Sequence, residues 1–549
     1  SSGQVAGIAA AGMRHGMVVI DQDGEEIVAM PTKDARAASA STELASRFGK
    51  TLYQRTGRWP LPIFAAARLM WLKDSAPELF ERAQICLSIS DWLNFHMTGE
   101  AAFERSLAAE TMLLDLDSGE WAWDLVETLD LPRQLFPELV AAGTHVGGLL
   151  PTVAQDLGLQ AGTPVIAGGA DTQCALLACR ATENGQLGVV AGTTTPIQLV
   201  LERPLIDHEY RLWTGLHMLP DRWVLESNMG QSGEALEWIA GVIHADARDP
   251  VAIFIASAAG SPPGAMGITS SIGAEQFNAR EMGVPTGEIT FSPILGGDDP
   301  EHRNHLARAV LEGIAFGVWA NISQLVELTG IKQPEISLAG GLSRSELFAQ
   351  ILSDVCKAPV MVPGTTEASA LGAAMCAAVG AGIVPDLYEA ARQLAPEKST
   401  IIPQGELVQK YRNLYTGWQE LQRARIESNQ ISGEIALNAM AEGTDQENRI
   451  TQAHISPGDH FRPRMLVTAQ LAETSIAELR QLGEVRYEDY RQEMRLLSGQ
   501  DLVEELEGSH ILVTEIDIVD LDALNDLPDL RLVICCRGNP VNVDIDACT

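Results

Sequence analysis

Three apolar runs of this 549-residue sequence end in glycine-rich turns, and these turns restrict the folds that the chain can adopt. They are VIAGGAD (165–171), GVVAGTTTP (188–196) and EISLAGGLS (335–343). Short runs rich in Val, Ile and Leu and followed by glycine are typical of buried strands. Because amphipathic helical stretches alternate with them, the sequence predicts an α/β fold. In such folds ligands bind beyond the carboxyl ends of the strands, where these turns lie.

The first two turns carry residue types that suit proton abstraction and anion binding. Asp171 follows a buried run, and an apolar surrounding lets such a carboxylate keep enough basicity to accept a proton from a substrate hydroxyl. The turn Gly192-Thr193-Thr194 allows backbone N–H groups and hydroxyls to approach an anion closely. The alternative is structural: an Asp that caps a helix and threonines that satisfy their own turn.

A third turn, Gly340-Gly341, lies between a strand and an amphipathic helix. Ser343 and Glu346 match the S-x-x-E capping box, which predicts a helix whose N-terminus faces whatever lies above Gly340. Alone, this pattern serves any tight connection between a strand and a helix. Together with the Asp and the Gly-Thr-Thr turn, it predicts two walls of a nucleotide cleft.

Charge and cysteine content restrict the partners. The 38 Lys and Arg residues against 73 Asp and Glu give a net charge of −35, which repels nucleic acid and anionic membranes. The eight cysteines form no C-x-x-C pair, which is typical of a reducing cytoplasm and indicates neither zinc sites nor disulfides. The uncharged stretch 368–385 is built largely from Ala and Gly, so we expect a packed helix there and no membrane span.

The chain divides into four segments by pattern. We expect two α/β lobes, at 1–180 and 181–428, a polar linker at 429–458 and a small βα domain at 459–549. Within them, the predicted strands include HGMVVID, EEIVAM, RMLVTAQL, EVRYEDY, SHILVTEID and LRLVICCRG. The predicted helices include PIFAAARLMWLK, APELFERAQICLSISDWLNFHMTG (76–99) and HRNHLARAVLEGIAFGVWANISQLVELTG (302–330).

Over residues 1 to about 428 the sequence resembles the FGGY carbohydrate kinases. The motifs that carry the resemblance occur in family order: MRHG (13–16), DAR (34–36), AARLMWLK, ISDWLNFHMTGE, GGADTQ (168–173), VVAGTTTP, NHLARAVLEGIAFG (304–317), LAGGLSRSELFAQILSDV and PVMVPGTTEASALGAAMCAAVGAGI (359–383). MRHG, DAR and GGADTQ are most similar to the autoinducer-2 kinase subfamily, followed by xylulokinases and other pentulose kinases. The resemblance implies a two-lobed actin-like ATPase (ribonuclease H-like) fold that transfers phosphate from ATP, with Mg²⁺, to a sugar hydroxyl.

The resemblance also implies roles for individual residues. Asp171 matches the general base, and Arg14 and His15 match substrate-contacting positions that Gln173 assists. The positions that match nucleotide-binding residues are Gly192, Thr193, Thr194, Gly233, Gly340, Gly341 and Ser345, while no residue is assigned as a metal ligand. The alternatives are a solvated or ion-paired surface arginine at Arg14 and a structural histidine at His15.

Two departures from the family pattern leave alternatives open. The family opens with an Asp-x-Gly-Thr turn that this sequence lacks, so the chain is expected to be either an N-terminally truncated fragment or a kinase fold without its first hairpin. A catalytically impaired sugar- or nucleotide-binding protein is therefore the alternative function, and a homodimer is one open assembly. Residues from about 462 to 549 resemble the substrate domain of D-isomer-specific 2-hydroxyacid dehydrogenases, with a generic flavodoxin-like module as the alternative. No G-x-G-x-x-G turn follows a strand, so we expect no nicotinamide cofactor.

Overall fold

The computed structural model describes residues 5–280, 286–292, 301–332, 334–425, 463–469, 471, 473–488, 496–535 and 543. The chain forms two compact units, Ser1–Met440 and Ala441–Thr549. The predicted linker, 429–458, lies outside the described residues.

The first unit is an α/β structure whose elements follow the predicted alternation. Its strands are β1 (Ile8–Gly12), β2 (Met17–Ile20), β3 (Glu26–Met30), β4 (Ile85–Ser88), β5 (Phe103–Glu104), β6 (Leu114–Asp115), β7 (Glu120–Trp121), β8 (Leu139–Val140), β9 (His145–Gly148), β10 (Pro164–Ala170), β11 (Gln186–Val190), β12 (Pro196–Leu201), β13 (Trp213–Leu216), β14 (Trp223–Asn228), β15 (Thr269–Ser270), β16 (Ile289–Thr290), β17 (Glu335–Ala339), β18 (Val360–Pro363) and β19 (Lys398–Ile401). Its helices are α1 (Ala38–Thr56), α2 (Ala65–Ser75), α3 (Pro77–Arg82), α4 (Ile89–Thr98), α5 (Arg105–Ala108), α6 (Trp123–Thr128), α7 (Pro151–Leu157), α8 (Asp171–Ala178), α9 (Ser232–Ile243), α10 (Pro250–Ser257), α11 (His302–Thr329), α12 (Glu346–Cys356), α13 (Ala368–Gly380), α14 (Leu387–Leu394) and α15 (Gly405–Ala424).

The first lobe comprises β1 to β10 with α1 to α7, and it contains two small three-stranded sheets. One has the order β1-β10-β9 and the other the order β3-β2-β4. Strands β1 and β10 run parallel, with Gly12 beside Ala170, so the chain leaves both strands at the same edge. The residues that follow these two strands therefore meet, and these are Arg14 and Asp171.

The second lobe comprises β11 to β19 with α9 to α15, and it is built on a seven-stranded sheet in the order β13-β14-β12-β11-β17-β18-β19. Its central strands β11 and β17 are parallel, with Val190 beside Ala339. The glycine-rich turns after both strands consequently lie at one edge of the sheet. The long predicted helix at 302–330 is confirmed as α11, and although it is long and apolar enough to cross a bilayer, 83% of its most apolar window is buried inside the protein.

Helix α8 connects the two lobes and packs tightly against α13. A Cβ at Gly372 of α13 would lie 2.1 Å from the carbonyl oxygen of Cys174 on α8, so glycine is required at this approach. The uncharged stretch 368–385 thus begins with a packed helix, as expected from its Ala and Gly content. This packing fixes the helix whose first residue is Asp171.

The prediction of one helical stretch over 76–99 is wrong. The segment forms α3, then strand β4, then α4. Strand β4 pairs antiparallel with β2, placing Cys86 beside Val19. Its side chains Cys86 and Leu87 are buried, so burial against the sheet overrides the local helical pattern.

The second unit is a small parallel α/β structure. Its strands are β20 (Arg464–Val467), β21 (Glu484–Tyr487), β22 (Ile511–Thr514) and β23 (Leu532–Cys535), and its helices are α16 (Glu473–Leu482), α17 (Gly499–Leu506) and α18 (Leu521–Asn525). All neighbouring strands are parallel in the order β21-β20-β22-β23, the arrangement of a flavodoxin-like sheet. The predicted strands of this region are confirmed.

Candidate active site

Asp171 is the first residue of α8 and follows β10 directly. Its Oδ1 accepts the backbone N–H of Thr172 at 2.7 Å, so Asp171 is not the cap that the structural alternative assumed. Burial raises the pKa of Asp171 above its ordinary value, while the positive charge of Arg14 opposes that rise. The carboxylate therefore has the enhanced basicity that a general base needs.

Arg14 lies two residues beyond the end of β1 and reaches across to the second lobe. Its guanidinium donates to both carboxylate oxygens of Glu226 on β14, at 2.5 and 2.8 Å. It also lies 3.7 Å from Oε1 of Glu110. Burial opposes the charge on Arg14, but Glu226 and Glu110 outweigh it and raise its pKa. Arg14 is therefore a buried, permanently charged group held between two lobes.

Glu110 connects the cations of the first lobe. It accepts from Arg58 at 2.7 and 3.2 Å and contacts Nε2 of His15 at 3.2 Å. Burial disfavours its charge, yet Arg58, Arg14 and His15 together hold its pKa well below the ordinary range. Burial lowers the pKa of His15, so at neutral pH the ring is uncharged and donates from Nε2 to the carboxylate.

Aromatic rings enclose His15. Its ring centroid lies 5.4 Å from that of Phe64 and 5.8 Å from that of Trp213, both in edge-to-face geometry. Trp213 belongs to β13 of the second lobe, so both lobes contribute to the surroundings of His15. The sequence-predicted pair Arg14 and His15 thus shares one cluster with Asp171.

Gln173 is less directly placed. It is fully buried, and its side-chain oxygen accepts from the hydroxyl of Thr172 at 2.6 Å. Because an α-helix has 3.6 residues per turn, a residue two positions after Asp171 lies about 200° around α8 from it. Gln173 therefore does not share the face of Asp171, and a direct substrate contact from it stays a prediction.

The turn Gly192-Thr193-Thr194 lies against the N-terminus of α9. The N–H of Gly233 donates to the carbonyl oxygen of Thr193 at 3.0 Å. A Cβ at Gly233 would lie 2.1 Å from the carbonyl oxygen of Gly192. The hydroxyls of Thr195 and Ser232 are 2.6 Å apart and tie the same two segments together. The structure thus brings the predicted phosphate turn and the predicted nucleotide-side glycine into contact.

Gly340 and Gly341 follow β17 and lie beside the same turn. Gly340 has φ of +87°, a left-handed conformation, and a Cβ there would lie 2.5 Å from the carbonyl oxygen of Ala191. By contrast, the nearest atom to a Cβ at Gly341 is 3.7 Å away. The backbone conformation and the close carbonyl oxygen therefore require glycine at position 340. A Cβ at position 341 would make only ordinary van der Waals contacts.

Ser345, which the sequence predicts to bind the nucleotide, is the cap of a helix in the structure. Its hydroxyl accepts the N–H of Phe348 at 3.1 Å and caps α12, which begins at Glu346. The hydroxyl of Ser343 instead donates to the carbonyl oxygen of Gly340 at 2.7 Å. The capping box proposed for Ser343 and Glu346 is therefore wrong, because a short 3₁₀ turn precedes the helix. Ser345 lies at the helix N-terminus, four residues after the turn Gly340-Gly341 that is predicted to bind the nucleotide.

Three residues of the cluster were not predicted from the sequence: Arg58, Glu110 and Glu226. All three are at least 98% buried. A charged residue in an apolar run is rarely buried unless it is paired. The isolated Glu226 in WVLESN therefore carried a usable signal, although the sequence does not name its partner.

The candidate site has two parts, one in each lobe. The ends of β1 and β10 present a basic carboxylate, a charged guanidinium and a neutral imidazole. The end of β11 carries Thr193 and Thr194 in a tight glycine turn, and the end of β17 carries the turn Gly340-Gly341 beside it. Such turns bind phosphate, and positioning with charge neutralisation is what phosphoryl transfer requires.

Comparison with known proteins identifies the same chemistry. Models of the FGGY family of carbohydrate kinases match the chain, the N-terminal domain over residues 1–178 and the C-terminal domain over 187–381. The chain is 32% identical over 430 residues to the autoinducer-2 kinase of Yersinia pestis bv. Antiqua (strain Angola), covering 76% of this chain and 80% of that protein.

Solved structures agree on the fold. The ligand-bound xylulose kinase from Lactobacillus acidophilus matches with a TM-score of 0.68 at 22% identity, covering 77% of this chain and 85% of that one. The xylulose kinase from Rhodospirillum rubrum matches with a TM-score of 0.66 at 26% identity, covering 76% and 84%. The chain belongs to the FGGY family of carbohydrate kinases, phosphotransferases that use ATP and an alcohol acceptor.

Proposed function

We propose that this kinase transfers the γ-phosphoryl group of ATP to a hydroxyl of a pentulose or of the linear autoinducer-2 precursor, with Asp171 as the general base. The observation that carries the proposal is the position of Asp171. Its carboxylate, with a raised pKa, lies at a strand end beside Arg14. A protein that only binds sugar has no need of a base at that point.

In the proposed reaction Asp171 accepts the proton of the substrate hydroxyl as its oxygen attacks the γ-phosphorus. The bond between that phosphorus and the bridging oxygen of ADP breaks, so the products are a sugar phosphate, ADP and a proton on the carboxyl group. Arg14 and His15 orient the sugar, and the turns at Gly192–Thr194 and Gly340–Gly341 hold the nucleotide. Such positioning supplies much of the barrier reduction in reactions of this type.

Family members use ATP together with Mg²⁺. Within the described part of the chain, no group of three or more His, Cys, Asp and Glu side chains is placed to hold a metal ion. Kinase sites bind Mg²⁺ through one or two carboxylates, waters and substrate phosphates. When bound, Mg²⁺ neutralises part of the phosphate charge.

The substrate class rests on the relatives and on charge. The curated relatives are named autoinducer-2 kinase, and two solved neighbours are named xylulose kinase. The two arginines of the cluster, Arg14 and Arg58, are already paired with carboxylates. A site with its cations engaged in this way favours an uncharged polyol over a sugar acid.

The catalytically impaired alternative is not favoured, because the family match spans both lobes and the cluster retains its carboxylate. The C-terminal unit plays no part in the proposed reaction. Neither family model extends into it, and its resemblance to dehydrogenase substrate domains stays a prediction.

The proposal is tested by measuring ADP release with the full chain, ATP and Mg²⁺ against four acceptors. We expect turnover with D-xylulose or the linear autoinducer-2 precursor and little with gluconate or glycerol. Turnover confined to gluconate would overturn the uncharged-substrate assignment. Absence of acceptor-dependent ADP release with all four would overturn the proposed function.

A further inference from the structure

Glu226 makes an unusual set of contacts for a residue outside the predicted site. Besides the two bonds from Arg14, it accepts from the side-chain nitrogen of Gln198 at 2.8 Å and from that of Asn228 at 3.2 Å. Only about 1% of its surface is exposed. Both carboxylate oxygens are therefore saturated by donors, and the orientation of the group is fixed.

The strands of the second lobe fix that orientation. Glu226 on β14 is the register partner of Gln198 on β12 and of Trp213 on β13. Because directly opposed residues of antiparallel strands point to the same face, the three side chains form one row. This row meets the first lobe, where Glu226 contacts Arg14 and Trp213 contacts His15.

The lobes have other contacts in this region that do not involve Glu226. Arg58 donates to the carbonyl oxygen of Thr214 at 2.5 Å, and the N–H of Thr214 donates to the carbonyl oxygen of Gly57 at 3.1 Å. The hydroxyl of Tyr53 donates to the carbonyl oxygen of Leu212. Loss of Glu226 would therefore release Arg14 while these contacts remain.

Charge near Asp171 depends on the same pair. The charged groups that act on its carboxylate are Arg14 from the β1 end, Glu110 from the first lobe and Glu226 from the second. His15 and Arg58 lie one contact further out through Glu110, and Glu104 lies behind the strand end, where Ser106 links it to the N–H of Ala170. Removing Glu226 would delete one negative charge near Asp171. The positive charge of Arg14 would then lack its bidentate carboxylate partner.

We infer that Glu226 is a positioning residue that holds Arg14 beside Asp171 from the opposite lobe, so that the sugar site is complete only when the two lobes are closed on each other. The inference rests on the proposed function of Asp171 and Arg14. It adds a residue that acts through Arg14 and does not itself touch the reacting atoms.

The test is steady-state kinetics of Glu226→Gln in the full chain, with ATP and the acceptor on which the parent turns over. Breaking one partner of a buried charge pair is expected to raise KM for the acceptor about 10- to 100-fold, with KM for ATP little changed. The acid limb of the pH profile of kcat/KM moves to higher pH, because an Arg14 released from its place beside Asp171 no longer lowers the pKa of that carboxyl, and this loss outweighs the removed charge of Glu226. An unmoved acid limb together with an unchanged acceptor KM would overturn the inference.

Two further variants separate positioning from general loss of stability. Glu312→Gln breaks another buried pair of the second lobe, with Arg308, and is expected to affect stability without moving the acid limb. In an Arg14→Gln background, Glu226→Gln should have little further effect on KM, since its partner is gone. Equal effects of Glu226→Gln with and without Arg14 would show that Glu226 does not act through Arg14.

A readout without turnover keeps this inference distinct from the proposed function. Hydrogen exchange of the amides around Arg14 should increase in Glu226→Gln in the absence of any sugar, whereas exchange around Thr214 should stay near the parent's. If the parent phosphorylates none of the acceptors, the proposed function fails while this measurement still reports on the contact. Unchanged exchange around Arg14, in a variant that folds, would overturn the inference. Glu226→Asp, which keeps the charge, is the variant to measure if Glu226→Gln does not fold, with the same expected direction and a smaller effect.

Discussion

Gly233 lies directly against Gly192, so that a Cβ on Gly233 would stand 2.1 Å from the carbonyl oxygen of Gly192. The N-terminus of α9 is thereby seated on the turn after β11. The neighbouring turn after β17 reaches the same place, since the N–H of Leu342 donates to the carbonyl oxygen of Ala191 at 3.3 Å. Three segments distant in sequence thus pack against one another at one edge of the seven-stranded sheet.

Gly233→Ala should weaken the use of ATP. Contacts under 3.0 Å force something to shift, so α9 must move off the phosphate turn. We expect KM for ATP to rise, with KM for the acceptor close to the parent's. Gly241→Ala in the same helix is the matched control, because nothing lies within 4 Å of a Cβ there and alanine favours a helix interior. Similar ATP kinetics for the two variants would contradict the role given to Gly233.

Gly340 and Gly341 should respond differently to substitution. Gly340→Ala places a side chain at φ of +87° and 2.5 Å from a carbonyl oxygen, so we expect a loss of stability of about 1 kcal/mol or more. Gly341→Val should leave the melting temperature nearly unchanged while weakening ATP binding, because its Cβ meets only the side chain of Arg344 at 3.7 Å and the carbonyl oxygen of Ala191 at 3.9 Å. Calorimetry with ATP alone and thermal melts of both variants check this pair. Unchanged ATP affinity in Gly341→Val would show that the turn only connects a strand to a helix and does not bind the nucleotide.

Arg14→Gln should move the pH dependence in the same direction as Glu226→Gln and at least as far. The positive charge of Arg14 lowers the pKa of Asp171, so its removal raises that pKa further. A general base must be ionised, and the acid limb of kcat/KM therefore moves to higher pH. Profiles of kcat/KM between pH 5 and about 9 measure the shift. A shift of the Arg14→Gln profile to lower pH would contradict the electrostatic account of the cluster.

Asp91 and Glu104 make a separate prediction about stability. Both are buried near the end of β10, and burial raises the pKa of each to about 7. Because these values exceed the ordinary ones, the stabilising contribution is complete below about pH 4 and is lost as the pH rises through 7. Asp91→Asn, which cannot ionise, should therefore raise the melting temperature relative to the parent at pH 8 more than at pH 5. The opposite pH trend in the melts would contradict the prediction.

The sequence predicts the parts of this fold that depend on pattern alone. The strands that end at Ala170, Val190 and Ala339 can be predicted because each is an apolar run that contains or precedes glycine. Strand β4 was not predicted, since its apolar residues also fit the surrounding helical period and pairing with β2 decides between them.

The same limit applies to the cluster around Asp171. Arg14 and His15 were identified through a motif, but their partners Glu110 and Glu226 lie 96 and 212 positions after Arg14, distances that no local pattern spans. Ser345 shows the smaller error of a cap placed two residues early, because Ser343 fits the sequence rule equally well until the 3₁₀ turn is seen.

The central claim is that Asp171 is the base, and Asp171→Asn tests it most directly. The amide keeps the size of the side chain but cannot accept the proton, so kcat should fall about 10²- to 10⁴-fold. Calorimetry with ATP and with the acceptor should give affinities close to the parent's, which excludes loss of the site as the cause. A variant that binds both substrates and turns over at the parent's rate would contradict the account.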